Sequence, residues 1–210
     1  MHKLLRHVVK YLCLSVLVMT FTGCEDGGND HDFGTNNPDV VVAMGDSITA
    51  LEGENTTTYP DILEGMTGKI VINEGRGGAT SSDGAGKINR VIGNNKPGYV
   101  LILYGANDII RATGNDSLIA NLRTMIIAAK NNKTVPIVGT ITPMYFVHDI
   151  FAGAVPVLNA RIRQMAAEEN CAVADLENAF GSDTSLFNGD GLHPNDEGLR
   201  VIAQTFAGAM

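Results

Sequence analysis

Five positions in this sequence have the residue types and settings that acyl transfer requires. Ser47 stands in the run Gly45-Asp46-Ser47-Ile48-Thr49, and Asp190 and His193 stand three residues apart in Asp190-Gly191-Leu192-His193. Asn107 follows Gly105-Ala106, and Gly78 closes Gly75-Arg76-Gly77-Gly78. A serine hydroxyl becomes an effective nucleophile only when an adjacent base accepts its proton, and imidazole suits that task near neutral pH. The imidazole in turn needs a carboxylate on its other nitrogen, to fix the tautomer and stabilise the cation once formed. His193 is the candidate base, and Asp190 can reach it across one turn. Attack on a carbonyl builds negative charge on oxygen, where one preorganised donor is worth on the order of 10²–10³ in rate. The candidate donors are the backbone N–H groups of Ser47 and Gly78 and the side-chain amide of Asn107.

Each of these residues also has an ordinary structural use. Ser47 alone would be a turn or helix-cap residue, as would Asn107 and Asp108, and Asp108 is assigned that structural part. His193 before Pro194 would serve as a lead-in to a helix. The other histidines are two near the N-terminus, His31 and His148. Only His148 rivals His193 as a base, and its place after the fourth apolar run suits exposure or substrate contact better. Asp175, Asp183 and Asp196 fit turns or caps. The glycines of 75–78 suggest a phosphate cradle, but their spacing is not Gly-x-Gly-x-x-Gly and they follow the second strand candidate, not the first. No His, Cys or carboxylate cluster has metal-ligand spacing, so neither a metal nor another cofactor is expected.

The elements that must position these residues show in the hydropathy pattern. Short apolar runs at 40–44, 69–73, 99–104, 135–141 and 171–176 alternate with longer amphipathic stretches, the pattern of parallel strands joined by helices. Leu118, Leu122, Met125 and Ile126 share one helical face, as do Leu158, Ile162, Met165 and Ala166, and Leu199, Ile202 and Phe206 line a last helix. Right-handed crossovers then predict an α/β fold, a three-layer α/β/α sandwich on a five-stranded parallel sheet of order 2-1-3-4-5. In such sheets ligands sit beyond the carboxyl ends of the strands. Ser47, the glycine run and Asn107 follow strands one, two and three, which are neighbours in that order.

Met44 to Thr49, Asn73 to Thr80, Gly105-Ala106-Asn107-Asp108 and Asp190 to Asn195 together resemble the four blocks of the SGNH or GDSL hydrolases, in that family's order, over nearly all of the chain from Val40 onward. The resemblance implies a metal-independent hydrolase of carboxylic esters or thioesters, with Gly78 aligned as the oxyanion glycine. Compactness and Tyr59-Pro60 look closest to its lysophospholipase, thioesterase and arylesterase branch. Arg76 and Gly77 depart from the apolar and small polar residues that the glycine block would carry. The alternative from another class is a surface lipoprotein that binds glycan or lipid without turnover. Tyr145, Phe146, Ile150 and Phe151 either line an acyl pocket or pack beneath a helix. A small ester is the expected substrate: an acylated sugar, a lysolipid or a short acyl ester.

The remaining expectations concern location. Residues 1–23 have a basic start at Lys3, Arg6 and Lys10 and an apolar stretch at 11–21, too short to span a bilayer, and end in Phe21-Thr22-Gly23-Cys24. This resembles the lipobox of bacterial lipoproteins, with Phe21 in place of the usual leucine, and implies lipid attachment at Cys24, export and a membrane anchor in the cell envelope. A plain secretory signal is the other reading. Residues 24–38, rich in Asp, Gly and Asn, are expected to be a flexible tether, and 39–210 the folded domain. Cys171 would then be alone, and its apolar setting suits a small hydrophobe. Without residues 1–23 the chain carries 12 Lys and Arg against 23 Asp and Glu, a surface that repels phosphate backbones, so no nucleic-acid partner is expected.

Overall fold

A continuous β-branched run, Val40-Val41-Val42, followed by Ala43-Met44, suits a strand covered on both faces. In the structure, a computed structural model that describes residues 31–50 and 55–210, it forms the heart of β1 (Asn37–Gly45), and Val41 to Met44 are wholly buried. The signal expected over 1–23, Cys24 and the tether up to residue 30 lie outside the described residues. β1 pairs in parallel with β2 (Ile70–Gly75) on one side and β3 (Pro97–Leu103) on the other. With β4 (Val135–Gly139) and β5 (Ala172–Ala174) they complete the sheet in the order β2-β1-β3-β4-β5, as the sequence predicts.

Helices cover both faces. α2 (Ser81–Asn95), α4 (Asn115–Asn131) and α5 (Ala154–Glu168) pack side by side on one, and α1 (Tyr59–Thr67) packs with α7 (Asp196–Gly208) on the other. The short helices α3 (Ala106–Ile110) and α6 (Leu176–Phe180) follow β3 and β5 directly. The faces expected for α4, α5 and α7 are the buried ones. No face is predicted for α1 or α2, yet each buries one: Tyr59, Pro60 and Leu63 in α1, and Ser81, Gly84, Ile88, Val91 and Ile92 in α2. α2 contains three glycines and holds its start through the Asp83 carboxylate, which accepts both the backbone N–H and the hydroxyl of Thr80. α1 is fixed by burial of Tyr59, whose ring stacks on Phe206 of α7 at 5.5 Å.

Two boundaries differ from expectation for identifiable reasons. β4 stops at Gly139 because the fully buried Asn159 of α5 takes over the backbone of Ile141: its Oδ1 accepts the Ile141 N–H at 2.7 Å and its Nδ2 donates to the Ile141 carbonyl at 2.9 Å. The segment expected to be a tether is already docked on the domain from Asp32 onward. Asp32 pairs with Lys133, the Phe33 ring lies 5.6 Å from that of Tyr99, and Asn36 Nδ2 donates to the Asn132 carbonyl and Thr134 Oγ1. Phe33 and Asn36 supply the apolar and amide contacts that the acidic, glycine-rich composition hides.

Asn159→Leu keeps the branched shape and removes both bonds to Ile141, leaving a buried N–H and C=O unsatisfied. The variant is expected to lose about 2–4 kcal/mol of stability, measured as a lower urea midpoint with an unchanged m-value.

Candidate active site

The register sets the height of the site. Gly45 at the end of β1 pairs with Gly75 of β2 and with Leu103 of β3, so the three following loops start at one level. The Asp46 turn that follows β1 is closed by its own residue: the Asp46 carboxylate accepts the Ile48 N–H at 3.0 Å, and its carbonyl accepts from Thr49 and Ala50. Asp46 is buried and Ser47, next to it, is partly exposed at the cleft.

The fourth element arrives from the far end of the chain. His193 Nε2 lies 2.9 Å from Ser47 Oγ, and His193 Nδ1 lies 2.5 Å from Asp190 Oδ2. A carboxylate can only accept, so Nδ1 carries the proton and Nε2 is free to accept from the serine hydroxyl. The other carboxylate oxygen of Asp190 accepts the backbone N–H groups of Leu192 and His193, both at 3.0 Å, which curls the loop into a fixed turn. Burial pushes the Asp190 carboxyl up, and the bonds from the His193 ring and from these two N–H groups outweigh it, holding the group below its ordinary value.

The donors face the same edge. Gly78 sits at φ +68°, a left-handed backbone that calls for glycine, and the one atom a Cβ there would crowd is Nη2 at the flexible end of Arg111. Among the described residues, neither the Ser47 nor the Gly78 N–H has an acceptor within the protein. Asn107 Nδ2 donates to the Ala79 carbonyl at 3.1 Å and only weakly to Asp46 Oδ2 at 3.4 Å. The first bond anchors the amide, and the second is long enough for a better acceptor to displace. Asp108, by contrast, is structural: it accepts the N–H and the hydroxyl of Ser81 at the start of α2, and the Thr113 hydroxyl.

The rival residues are placed elsewhere. His148, on a 3-10 turn over Phe146–Phe151, donates from Nδ1 to the Asp190 backbone carbonyl at 2.9 Å. Beside it the Tyr145 N–H donates to the Gly191 carbonyl, and Gly191, at φ +68°, leaves no room for a Cβ against the Tyr145 carbonyl. Sequence reasoning gave neither residue this supporting place, since the two loops lie over forty residues apart and only the fold brings them together. Phe146, Val147 and Ile150 are exposed, so they do not pack under a helix, while Tyr145 packs edge-on against Phe187. Arg76 is ion-paired with Asp83. A groove of about 490 Å³ between Arg76, Asp83, Lys87 and Arg90 lies along the outer side of β2 and contains none of Ser47, His193 or Asp190. Burial pushes the Cys171 thiol up to about 11, which makes it a poor nucleophile. Among the described residues no group of three or more His, Cys, Asp and Glu is arranged to hold a metal, and no helix is long and apolar enough to cross a membrane.

Residues 43–201 match the model of the GDSL-like lipase/acylhydrolase family. The chain belongs to that family. No curated protein matches. Among solved structures, a lipase/acylhydrolase from Enterococcus faecalis is 26% identical, with 80% of this chain and 92% of that one covered at a TM-score of 0.71. A GDSL-like lipase from Bacteroides thetaiotaomicron is 25% identical, with 81% and 87% covered at 0.70. An acetylxylan esterase from Geobacillus stearothermophilus, 21% identical with 83% and 94% covered at 0.71, shares the fold. The protein is thus a carboxylic ester hydrolase, and its α/β/α sheet order is the one expected from the sequence.

Two outcomes follow from the site's supports. Burial, the largest influence, raises the Asp46 carboxyl from 3.8 to about 6; the Ile48 N–H and the His193 ring work against it, and Asp108 adds to it. Between those two values the folded protein holds a proton that the unfolded chain has released, so the stability contributed by Asp46 is present below pH 3.8 and is lost as pH rises through about 6. Asp46→Asn, which cannot ionise, should gain about 3 kcal/mol on the wild type between pH 3 and pH 8, read as the change in the difference of their urea-unfolding free energies. His148→Ala should lower kcat about tenfold by releasing the Asp190 carbonyl. His148→Asn, whose Nδ2 takes the place of Nδ1, should recover most of that loss and His148→Gln should not, measured on p-nitrophenyl acetate.

Proposed function

We propose that this ester hydrolase works by acyl transfer through Ser47. The observation that carries the reading is the chain of contacts from Asp190 Oδ2 through His193 to Ser47 Oγ, at 2.5 and 2.9 Å. His193 takes the serine proton as Oγ attacks the ester carbonyl, and Asp190 stabilises the imidazolium that results. The oxyanion is met by the N–H groups of Ser47 and Gly78 and by Asn107 Nδ2, which exchanges its long contact with Asp46 for the new charge. Collapse of the tetrahedral intermediate breaks the ester C–O bond, and His193 returns its proton to the leaving alcohol. Water then attacks the acyl-enzyme with His193 again as base, releasing the acid and restoring Ser47.

The substrate reading is a small ester, an acylated sugar, a lysolipid or a short acyl ester, in the manner of the lysophospholipase, thioesterase and arylesterase branch. For location, the reading is a bacterial lipoprotein: residues 1–23 direct export, Cys24 carries the lipid, and the domain works in the cell envelope on a membrane anchor. Basic residues ahead of a short apolar stretch and a cysteine at its end support it.

A fluorophosphonate probe should label the wild type and leave Ser47→Ala unlabelled, and that variant should lose at least 10³-fold in kcat on p-nitrophenyl esters. Turnover that survives in Ser47→Ala would sink the mechanism. A panel of esters graded in acyl length, run on the same preparation, assigns the chain-length preference.

A further inference from the structure

The chain enters its folded body at the pole opposite the candidate catalytic edge. The Asn37 N–H donates at 2.8 Å to the Lys96 carbonyl, just ahead of β3, and Asn36 binds Asn132 and Thr134, just ahead of β4. Phe33 rests on Tyr99 near the start of β3, and Asp32 pairs with Lys133. Residues 32–37 are therefore fastened to the amino ends of the strands. Ser47, Gly78 and Asn107 follow the carboxyl ends of β1, β2 and β3. At roughly 3.3 Å per residue, β1 alone separates the two poles by about 26 Å, and the loops at either end add to that.

We infer that this geometry turns the catalytic edge away from the membrane that holds Cys24, so the substrate is an ester presented from the aqueous side, free or carried on a polymer, and not a lipid of the anchoring bilayer. The inference rests on lipidation of Cys24 and on ester hydrolysis at Ser47, as proposed above. Whatever its conformation, the chain from Cys24 to Asp32 reaches at most about 28 Å. To lay the catalytic edge on the bilayer, that stretch would have to rise past the whole height of the sheet. It would also have to pass around a body whose radius of gyration is about 16 Å for a domain of this length, and it falls short. A tether running to Pro38, the length that composition suggests, would reach about 50 Å and could pass round. Docking of residues 32–37 is what removes that freedom. The exposed Phe146, Val147 and Ile150, beside the Asp190 loop, then face water and are placed to meet an apolar part of an arriving ester.

The test uses full-length protein isolated from membranes, reconstituted in phosphatidylcholine vesicles and labelled at Ser47 with a fluorescent fluorophosphonate. Energy transfer to an acceptor on lipid headgroups reports the height of the site. The expected result is a donor more than about 30 Å from the bilayer surface, and a clear rise in transfer when thirty Gly and Ser residues are inserted between Asp30 and His31. Turnover of soluble p-nitrophenyl acetate should be the same for both proteins. A wild-type donor lying at the surface, or transfer unchanged by the insertion, overturns the inference. Flotation with vesicles that persists in Cys24→Ser, or is absent in the wild type, overturns the anchor reading and the inference with it. Absence of Ser47 labelling is a failure of the catalytic reading, seen before any distance is measured.

Discussion

Everything at the site depends on the pairing of β1 with both of its neighbours at the level of Gly45. That residue is opposite Gly75 on one side and Leu103 on the other, so the chain leaves three adjacent strands at one height. A slip of one residue would carry Ser47 out of line with Gly78 and Asn107 and turn the buried valines of β1 to the other face. The register is held by the hydrophobic effect acting on both faces of the sheet: Val41, Val42, Val100, Leu101, Ile137 and Val138 are all fully buried. Catalytic geometry is in this sense a by-product of core packing, because no side chain at the cleft sets the relative height of the strands.

The fourth loop is different, since no strand delivers it. Asp190 to His193 hang between β5 and α7 and take their shape from local bonds. Asn188 closes the loop by donating its N–H to the His193 carbonyl, and Asn195 caps α7 by accepting from Glu197 and Gly198. On the outside, Tyr145 and His148 tie the loop to the segment after β4. Beside Leu192, which is buried in the core, His193 is held by several modest hydrogen bonds, each worth about 1 kcal/mol net. That is enough to narrow the loop's positions without adding much to global stability.

What could be read from the sequence divides along the same line. The strands were legible as short continuous apolar runs, because both of their faces are buried, and the helices α4, α5 and α7 because burial of one face leaves a period in the residue pattern that survives any detail of packing. α2 was not, because Ser81 and Gly84 fill the first half of its buried face, only Ile88, Val91 and Ile92 are large apolar residues there, and the helix is held by its cap and its neighbours. The docked stretch 32–37 was missed for a similar reason, since one aromatic ring and one amide do the binding in an otherwise polar run. Ser47, Asn107, Asp190 and His193 were named from spacing and motif, and the fold brings them to one edge. Gly78 was set above Gly77 by resemblance, and its positive φ, which calls for glycine there, leaves no mark in the sequence beyond the residue type. The bond from His148 to the Asp190 loop was not legible, because hydrogen bonds between loops distant in sequence leave no local pattern.

Asp46 shows the conflict between stability and site geometry most directly. A carboxyl this deeply buried would be expected to give way to an apolar residue if stability alone were optimised, since desolvation opposes its charge. Its bonds explain why an apolar side chain would not serve: Oδ1 takes the Ile48 N–H that shapes the nucleophile turn, and Oδ2 lies against the Asn107 amide. The second contact is weak at 3.4 Å, and that weakness matters. In the proposed mechanism a short, strong bond there would hold the Asn107 donor in the ground state, whereas a long one orients the amide and still yields it to an oxyanion, so the interaction with substrate grows as charge develops. The buried carboxylate thus lowers the stability of the resting fold and leaves the Asn107 amide aligned but only weakly held on that side.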